Sequence, residues 1–239
     1  IRVMIGTLDY HDPNGGQVNA ALAKRSAGST LKPFLYAEAI NAGLIVADTI
    51  LEDAPVRYGD YAPGNYDATY QGRVKASEAL SRSLNTPVIR LLAHLGTERI
   101  NTLFDKLKLP SGRIDTGLSF ALGTAGYDLF SLTSAYSVFP RKGNYRKITF
   151  LKNGAHSQVD VPIFPPGVAL MTADMLKTLN MPESAVDGVS WKTGTSNGNH
   201  DAWCFAFTRD KTLGLWFGNK DGSPALTLVG TTAAAPVAA

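Results

Sequence analysis

Residues 189–219 read VSWKTGTSNGNHDAWCFAFTRDKTLGLWFGN. Three short runs in this stretch, VSWKTGT, DAWCFAFTR and TLGLWFGN, are rich in β-branched and aromatic side chains, and Asp210-Lys211 offers a tight turn between the last two. The pattern predicts an antiparallel strand pair near the C-terminal end of the chain. Upstream, VALMTADMLKTLN has helical periodicity, and residues 140–168 are polar and basic, punctuated by Gly and Pro, as expected of an exposed loop or ribbon. Before that the chain is mostly helical: one helix or more lies between Thr116 and Val138. RVKASEALSRSLNTPVIRLLAHLGTERINTLFDKLKL is periodic with a break at Asn85-Thr86-Pro87. Residues 51–72, rich in Pro, Gly, Tyr and Asp, read as an extended surface loop. At the N-terminal end, IRVMIGTLDY and GQVNAALAK flank the turn residues HDPNGG and predict a hairpin.

Strands at both ends with helices between them imply an α+β fold, in which a central antiparallel sheet is flanked by helices and a helical lobe is inserted. The expected organisation is a single domain over 1–239, its sheet parts at about 1–50 and 185–239 and its mostly helical lobe at about 70–180. Clefts form at such junctions. SAGSTLKPFLYAEAI, residues 26–40, sits at this one. Pro33 is tolerated only in a first turn, and Leu31, Phe34, Leu35 and Ala39 recur at helical spacing, which predicts a helix over about Thr30 to Ala42. Ser29 and Lys32 then fall three residues apart on one face. A serine there is either a helix cap or a hydroxyl nucleophile beside its amine base, and local spacing leaves both open.

The chain has 239 residues, 44% hydrophobic and 18% charged, enough to bury a sizeable core. Its net charge of +3 is spread without a basic face, so nothing points to nucleic acid or a membrane surface. The single Cys204 excludes an internal disulfide and sits in the apolar AWCFAF as a buried thiol. The apolar stretch FLYAEAINAGLIVADTI is interrupted by Glu38, Asn41 and Asp48, too often for a membrane span. With Ile1 first and no signal peptide, the sequence has the look of a processed product or an excised fragment.

Two further motifs bear on Ser29. Ser83-Leu84-Asn85 lies at the helix break, and Lys192-Thr193-Gly194 lies on a C-terminal strand. In a chain of this composition chance supplies about 0.75 S-x-x-K and about 0.75 S-x-N, but only about 0.1 K-T-G. The ordered set, with gaps of 54 and 109 residues, matches the motif order of penicillin-binding proteins and class A β-lactamases. GGQVNAALAKRSAGSTLKPFLYAEAINAGLI, GDYAPGNYDATYQGRVKASEALSRSLNTPVIRLL, SFALGTAGYDLFSLTSAYSVFPRKG and WKTGTSNGNHDAWCFAFT extend the likeness over most of residues 5–220. The chain resembles the transpeptidase domain of class A penicillin-binding proteins, and within that class the 1C type. Against that pattern, the preceding glycosyltransferase domain is absent and the sequence ends at TTAAAPVAA, short of the family's C-terminal helix.

That resemblance implies a penicillin-binding protein/serine β-lactamase-like fold and a peptidoglycan D,D-transpeptidase that cross-links stem peptides through an acyl-serine. Ser29 would be the nucleophile and Lys32 its base; Ser83 would relay the proton to the leaving amine, and Asn85 would hold Lys32 and a substrate carbonyl. Lys192, brought near Lys32, would push it towards neutrality; with Thr193 and Thr195 it would also receive a substrate carboxylate. Gly194 would admit the substrate backbone, and Ser196 would complete the substrate-binding set. The backbone N–H groups of Ser29 and Thr195 would form the oxyanion hole. His200 reads as structural. No cofactor or metal is expected. The expected partners are a D-Ala-D-Ala donor, an amine acceptor and β-lactam inhibitors, with membrane attachment only through a segment outside this chain, on the extracytoplasmic side, periplasm or cell wall, of a bacterial inner or plasma membrane. The alternatives are a D,D-carboxypeptidase, a serine β-lactamase, or a penicillin-binding sensor or scaffold without turnover. No glutamate occurs from Arg99 to Pro182, which disfavours class A deacylation unless Asp115 or Asp128 substitutes.

Overall fold

The computed structural model describes residues 1–13, 15–109, 117–150, 159–177, 188–225 and 227–238. In chain order its elements are β1 (Arg25–Ser26), α1 (Lys32–Asn41), β2 (Ile50–Asp53), β3 (Gly72–Lys75), α2 (Ala76–Ser81), α3 (Asn85–Leu95) and α4 (Thr97–Lys106). They continue with β4 (Gly126–Tyr127), α5 (Leu129–Tyr136), β5 (Asn144–Tyr145), β6 (Val161–Pro162), α6 (Pro166–Met175), β7 (Ser190–Thr195), β8 (Asp201–Phe207), β9 (Thr212–Gly218) and α7 (Ala235–Ala238). The quoted stretch forms the antiparallel sheet β7-β8-β9, closed at its hairpin by Thr208 N–H donating to Lys211 O at 2.9 Å.

Every residue of β8 is buried, because both faces of the sheet are covered. On one face Trp203, Phe205 and Phe207 enter the main core, where Phe205 stacks on Tyr136 of α5 at 4.4 Å and Phe207 on Phe139 at 5.7 Å. On the other, Cys204 packs beneath Ala234 and Ala235 of the C-terminal turn. At the centre of the main core lies α1, buried from its first residue, Lys32, to Ala39. A helix without an exposed stripe must be surrounded, and Phe34 meets the rings of Phe104, Tyr136 and Phe139.

Three expectations change. The N-terminal hairpin does not form: Ile1, Val3 and Ile5 are exposed, Ala20–Leu22 is a 3-10 turn, and the three-stranded sheet draws only on residues 190–218. Alternating apolar residues make a strand only where a neighbouring edge takes up their backbone groups; here that backbone bends into local turns such as Gly16 N–H to Asp12 O. Residues 51–72 are not wholly loop, since β2 and β3 pair across them from Ile50↔Lys75 to Asp53↔Gly72. The helix at 30–42 starts as a 3-10 turn, Gly28–Leu31, and becomes α-helical only at Lys32.

That turn is pressed against β7. Gly28 has φ +53, and a Cβ there would lie 2.5 Å from Thr195 O; Gly43, with φ +72, has no heavy atom within 4 Å of its Cβ position. Gly28→Ala should therefore lower the unfolding free energy by at least about 2 kcal/mol more than Gly43→Ala, since both meet strained φ but only one meets a clash. Equal losses in guanidinium unfolding would contradict the close approach.

Candidate active site

Ser29 lies inside the 3-10 turn, and neither that turn nor α1 has a side-chain cap, so the capping reading falls away. The turn is fixed on three sides. Trp203 Nε1 donates to Ser26 O at 2.9 Å, Ser26 Oγ to Gly123 O at 2.7 Å, and Tyr136 OH to Thr30 O at 2.6 Å. Ser29 itself is partly exposed, while Lys32 is fully buried one turn on.

The Lys32 amine reaches the connection between α2 and α3. It donates to Ser83 O at 2.5 Å and Asn85 Oδ1 at 2.6 Å, with Leu84 O at 3.2 Å and Ser83 Oγ at 3.3 Å. This connection is shaped by the ending of α2: Ser83 N–H returns to Leu80 O and Leu84 N–H to Ala79 O, and Ser83 takes φ +59. A left-handed residue that is not glycine stores strain of about 1 kcal/mol or more, and here it aims both the carbonyl and the hydroxyl of Ser83 at amines. Lys192 on β7 donates to the same Ser83 Oγ at 2.9 Å and to Thr193 O at 2.7 Å. The hydroxyl of Ser83 thus bridges two buried lysines.

Carbonyl acceptors around Lys32 favour its ammonium form, but burial and the neighbouring Lys192 act the other way and win, holding the amine well below its ordinary range. Burial brings Lys192 down to about 7, with Cys204 nearby. Burial also pushes the Cys204 thiol up to about 12, so it is an inert core thiol.

Strand alternation turns Lys192 and Gly194 towards the main core and Thr193 and Thr195 to the opposite face. Ser196 N–H donates to Asp201 O, which leaves the Thr195 N–H on the outer edge of β7, against Gly28. Thr195 Oγ1 accepts the Gly230 N–H at 3.0 Å and keeps its own proton free to donate. The bare side of Gly194 faces Thr30 and Ala27, where a Cβ would lie 2.6 Å from Thr30 Cγ2; glycine is required there by the nucleophile's turn rather than by an open edge. Ser196 is buried, its Oγ accepting the Asp201 N–H. His200 donates from Nδ1 to Gly222 O, a structural contact. Asp128 caps α5 through both oxygens, to Ser131 N and Oγ. Asp115 lies outside the described residues.

Sequence reasoning missed the support beneath Asn85. Asp53, fully buried, accepts from Asn65 Nδ2 at 2.8 Å, Thr86 Oγ1 at 2.6 Å and Gln71 N at 2.8 Å. Asn65 Oδ1 in turn accepts the Asn85 N–H at 2.7 Å. The polar, turn-rich composition of 51–72 gave no sign of a buried carboxylate.

A buried amine one helical turn beyond a partly exposed serine, bridged to a second lysine through Ser83, is accompanied by a match of residues 3–212 to the model of the penicillin binding protein transpeptidase domain. The chain belongs to that family. It is 35% identical to penicillin-binding protein 1C of Escherichia coli K12, over 99% of this chain and 32% of that protein. With penicillin-binding protein 1A of Neisseria cinerea the identity is 29%, over 99% and 33%. The chain thus spans about a third of the length of these relatives. Penicillin-binding protein 1A from Haemophilus influenzae superposes with a TM-score of 0.81 at 18% identity, over 95% of this chain and 43% of that one. Penicillin-binding protein A from M. tuberculosis, solved as a ceftriaxone acyl-enzyme complex, does so with 0.80 at 17%, over 95% and 62%. Both likenesses show the family's α+β fold. Among the described residues no helix is long and apolar enough to cross a membrane.

The low proton affinity of Lys192 has a measurable signature. A lysine that titrates near 7 when folded and near 10.5 when unfolded destabilises the fold fully below pH 7, and raising the pH relieves this because the unfolded chain then holds the extra proton. Relative to Lys192→Met, the parent's unfolding free energy should rise by roughly 1–2 kcal/mol between pH 7 and 8.5. Parallel pH curves for the two proteins would contradict it.

Proposed function

We propose that this chain is the D,D-transpeptidase domain of a bacterial peptidoglycan synthase, working as one unit on the extracytoplasmic side of the membrane. The observation that carries this is the Lys32 amine, buried, held by Ser83 and Asn85, and opposed by Lys192. In its neutral form it has two N–H groups for its two short contacts, Ser83 O and Asn85 Oδ1, and a lone pair left to take the proton of Ser29. Ser29 Oγ then attacks the carbonyl carbon of the D-Ala-D-Ala peptide bond. The N–H groups of Ser29 and Thr195 stabilise the tetrahedral oxyanion as fixed dipoles. The proton passes through Ser83, in contact with both lysines, to the departing D-alanine nitrogen, and the C–N bond breaks to leave an acyl-serine. The hydroxyls of Thr193 and Thr195 receive the terminal carboxylate at the edge of β7, and Lys192 adds positive charge from the other face of the strand. An acceptor amine attacks the ester, restores Ser29 and completes the cross-link. β-Lactams enter the same path and stop at the acyl-serine. The capping role of Asp128 favours this over β-lactamase chemistry, since both its oxygens are committed to α5.

Benzylpenicillin should add one equivalent of mass at Ser29, and Ser29→Ala should abolish the adduct. An unchanged intact mass in the folded parent would overturn the reading. Lys32→Arg, which removes any neutral amine, should acylate at least about 10²-fold more slowly with its circular dichroism intact; near-parent acylation would assign the base elsewhere. After removal of free drug the adduct should last minutes or longer. Its loss within seconds as penicilloic acid would make the protein a β-lactamase.

A further inference from the structure

Asp53 is a carboxylate at 0% exposure whose hydrogen-bond partners, Asn65, Thr86 and the Gln71 backbone, are all uncharged. Burying such a charge is costly unless something else in the interior uses it. A neutral asparagine would serve a purely structural knot at less cost in desolvation. Two features of the surroundings say what uses it. First, Asn65 joins Asp53 to the start of α3: Asn65 Nδ2 bonds the carboxylate while its Oδ1 accepts the N–H groups of Asn85 at 2.7 Å and Thr86 at 3.4 Å. Thr86 Oγ1 makes the second link, and the negative group lies at the N-terminal end of an 11-residue helix, where its sign suits the free N–H groups. Second, the residue so held is Asn85, whose Oδ1 receives one of the two short contacts of the Lys32 amine and whose Nδ2 is tied to Gly64 O at 2.8 Å.

We propose that Asp53, acting through Asn65 and Thr86, is the positioning residue that places Asn85 and, through it, the Lys32 amine for reaction with Ser29. This deepens the transpeptidase reading and rests on it. Asp53 touches neither substrate nor reacting atoms. Its charge also counters the other influences on Lys32. Burial and Lys192 from β7 favour the neutral amine, and Asp53 from β2 favours the ammonium; Tyr36, one turn along α1, feels Asp53, and Cys204, on the other face of the sheet, is near enough to act on Lys192. Asp53 therefore holds the base back from losing its proton too easily. Removing the charge makes Lys32 neutral at lower pH.

The test follows the second-order rate constant for acylation of the 239-residue chain by benzylpenicillin as a function of pH, in the parent, Asp53→Asn and Asn65→Ala. Asp53→Asn should acylate at least about tenfold more slowly near neutral pH, and the acid limb of its profile should move to lower pH by about half a unit or more. Asn65→Ala breaks the bridge but keeps the carboxylate, so its rate should fall by a similar factor with the acid limb unmoved. A parent rate in both variants, or a slower Asp53→Asn whose acid limb stays in place, would overturn the proposal. If Asp53→Asn does not fold by near-ultraviolet circular dichroism, Asn65→Ala decides: a tenfold loss with an unmoved limb supports the positioning role, and an unchanged rate overturns it. A parent that is not acylated at all would overturn the transpeptidase reading together with this one, whereas an acylated parent with indifferent variants overturns this one alone.

Discussion

The desolvation of the Lys32 amine is the constraint around which the rest is arranged. An ammonium taken wholly out of water costs several kcal/mol, and a second buried lysine across Ser83 adds repulsion. The interior offers Lys32 carbonyl and amide oxygens rather than a carboxylate in contact, so the cost is relieved by giving up the proton. A lysine whose proton is held this weakly can act as a base. The same burial that makes α1 the centre of the core therefore makes its first residue chemically active.

Position follows from the elements that enclose that amine. The left-handed Ser83 at the end of α2 turns its carbonyl and hydroxyl inward, β7 supplies Lys192 from the sheet side, and Asn85 closes the third side at the start of α3. Against this dry interior, Ser29 stays partly open to solvent on a turn clamped by Trp203, Gly123 and Tyr136. Base and nucleophile thus share one short segment but meet different environments. The tight contacts of Gly28 with Thr195 and of Gly194 with Thr30 bring that segment and β7 within reach of each other, which a Cβ at either position would prevent.

Much of this was legible because the motifs are short and each residue type has few uses. S-x-x-K, S-x-N and K-T-G in order located Ser29, Lys32, Ser83, Asn85 and Lys192 before any geometry, and the structure hydrogen-bonds four of these five into one network. The strands β7, β8 and β9 were readable from β-branched and aromatic runs, since a buried strand needs such side chains on both faces. What escaped depends on partners distant in sequence. Ile1, Val3 and Ile5 alternate like a strand but find no edge to pair with. Asp53 and Asn65 look like ordinary turn residues until folding brings them 33 and 21 positions along to Thr86. The reason for Gly194, contact with Thr30, likewise exists only in three dimensions.

The most direct test of the central claim is the ionisation of Lys32 itself, read from the ¹³Cε chemical shift of labelled lysines in the intact folded chain, with the Lys32 signal assigned by its loss in Lys32→Arg. The account predicts that this signal titrates well below those of the exposed lysines. A Lys32 signal that moves with the exposed lysines, at about 10.4, would contradict it.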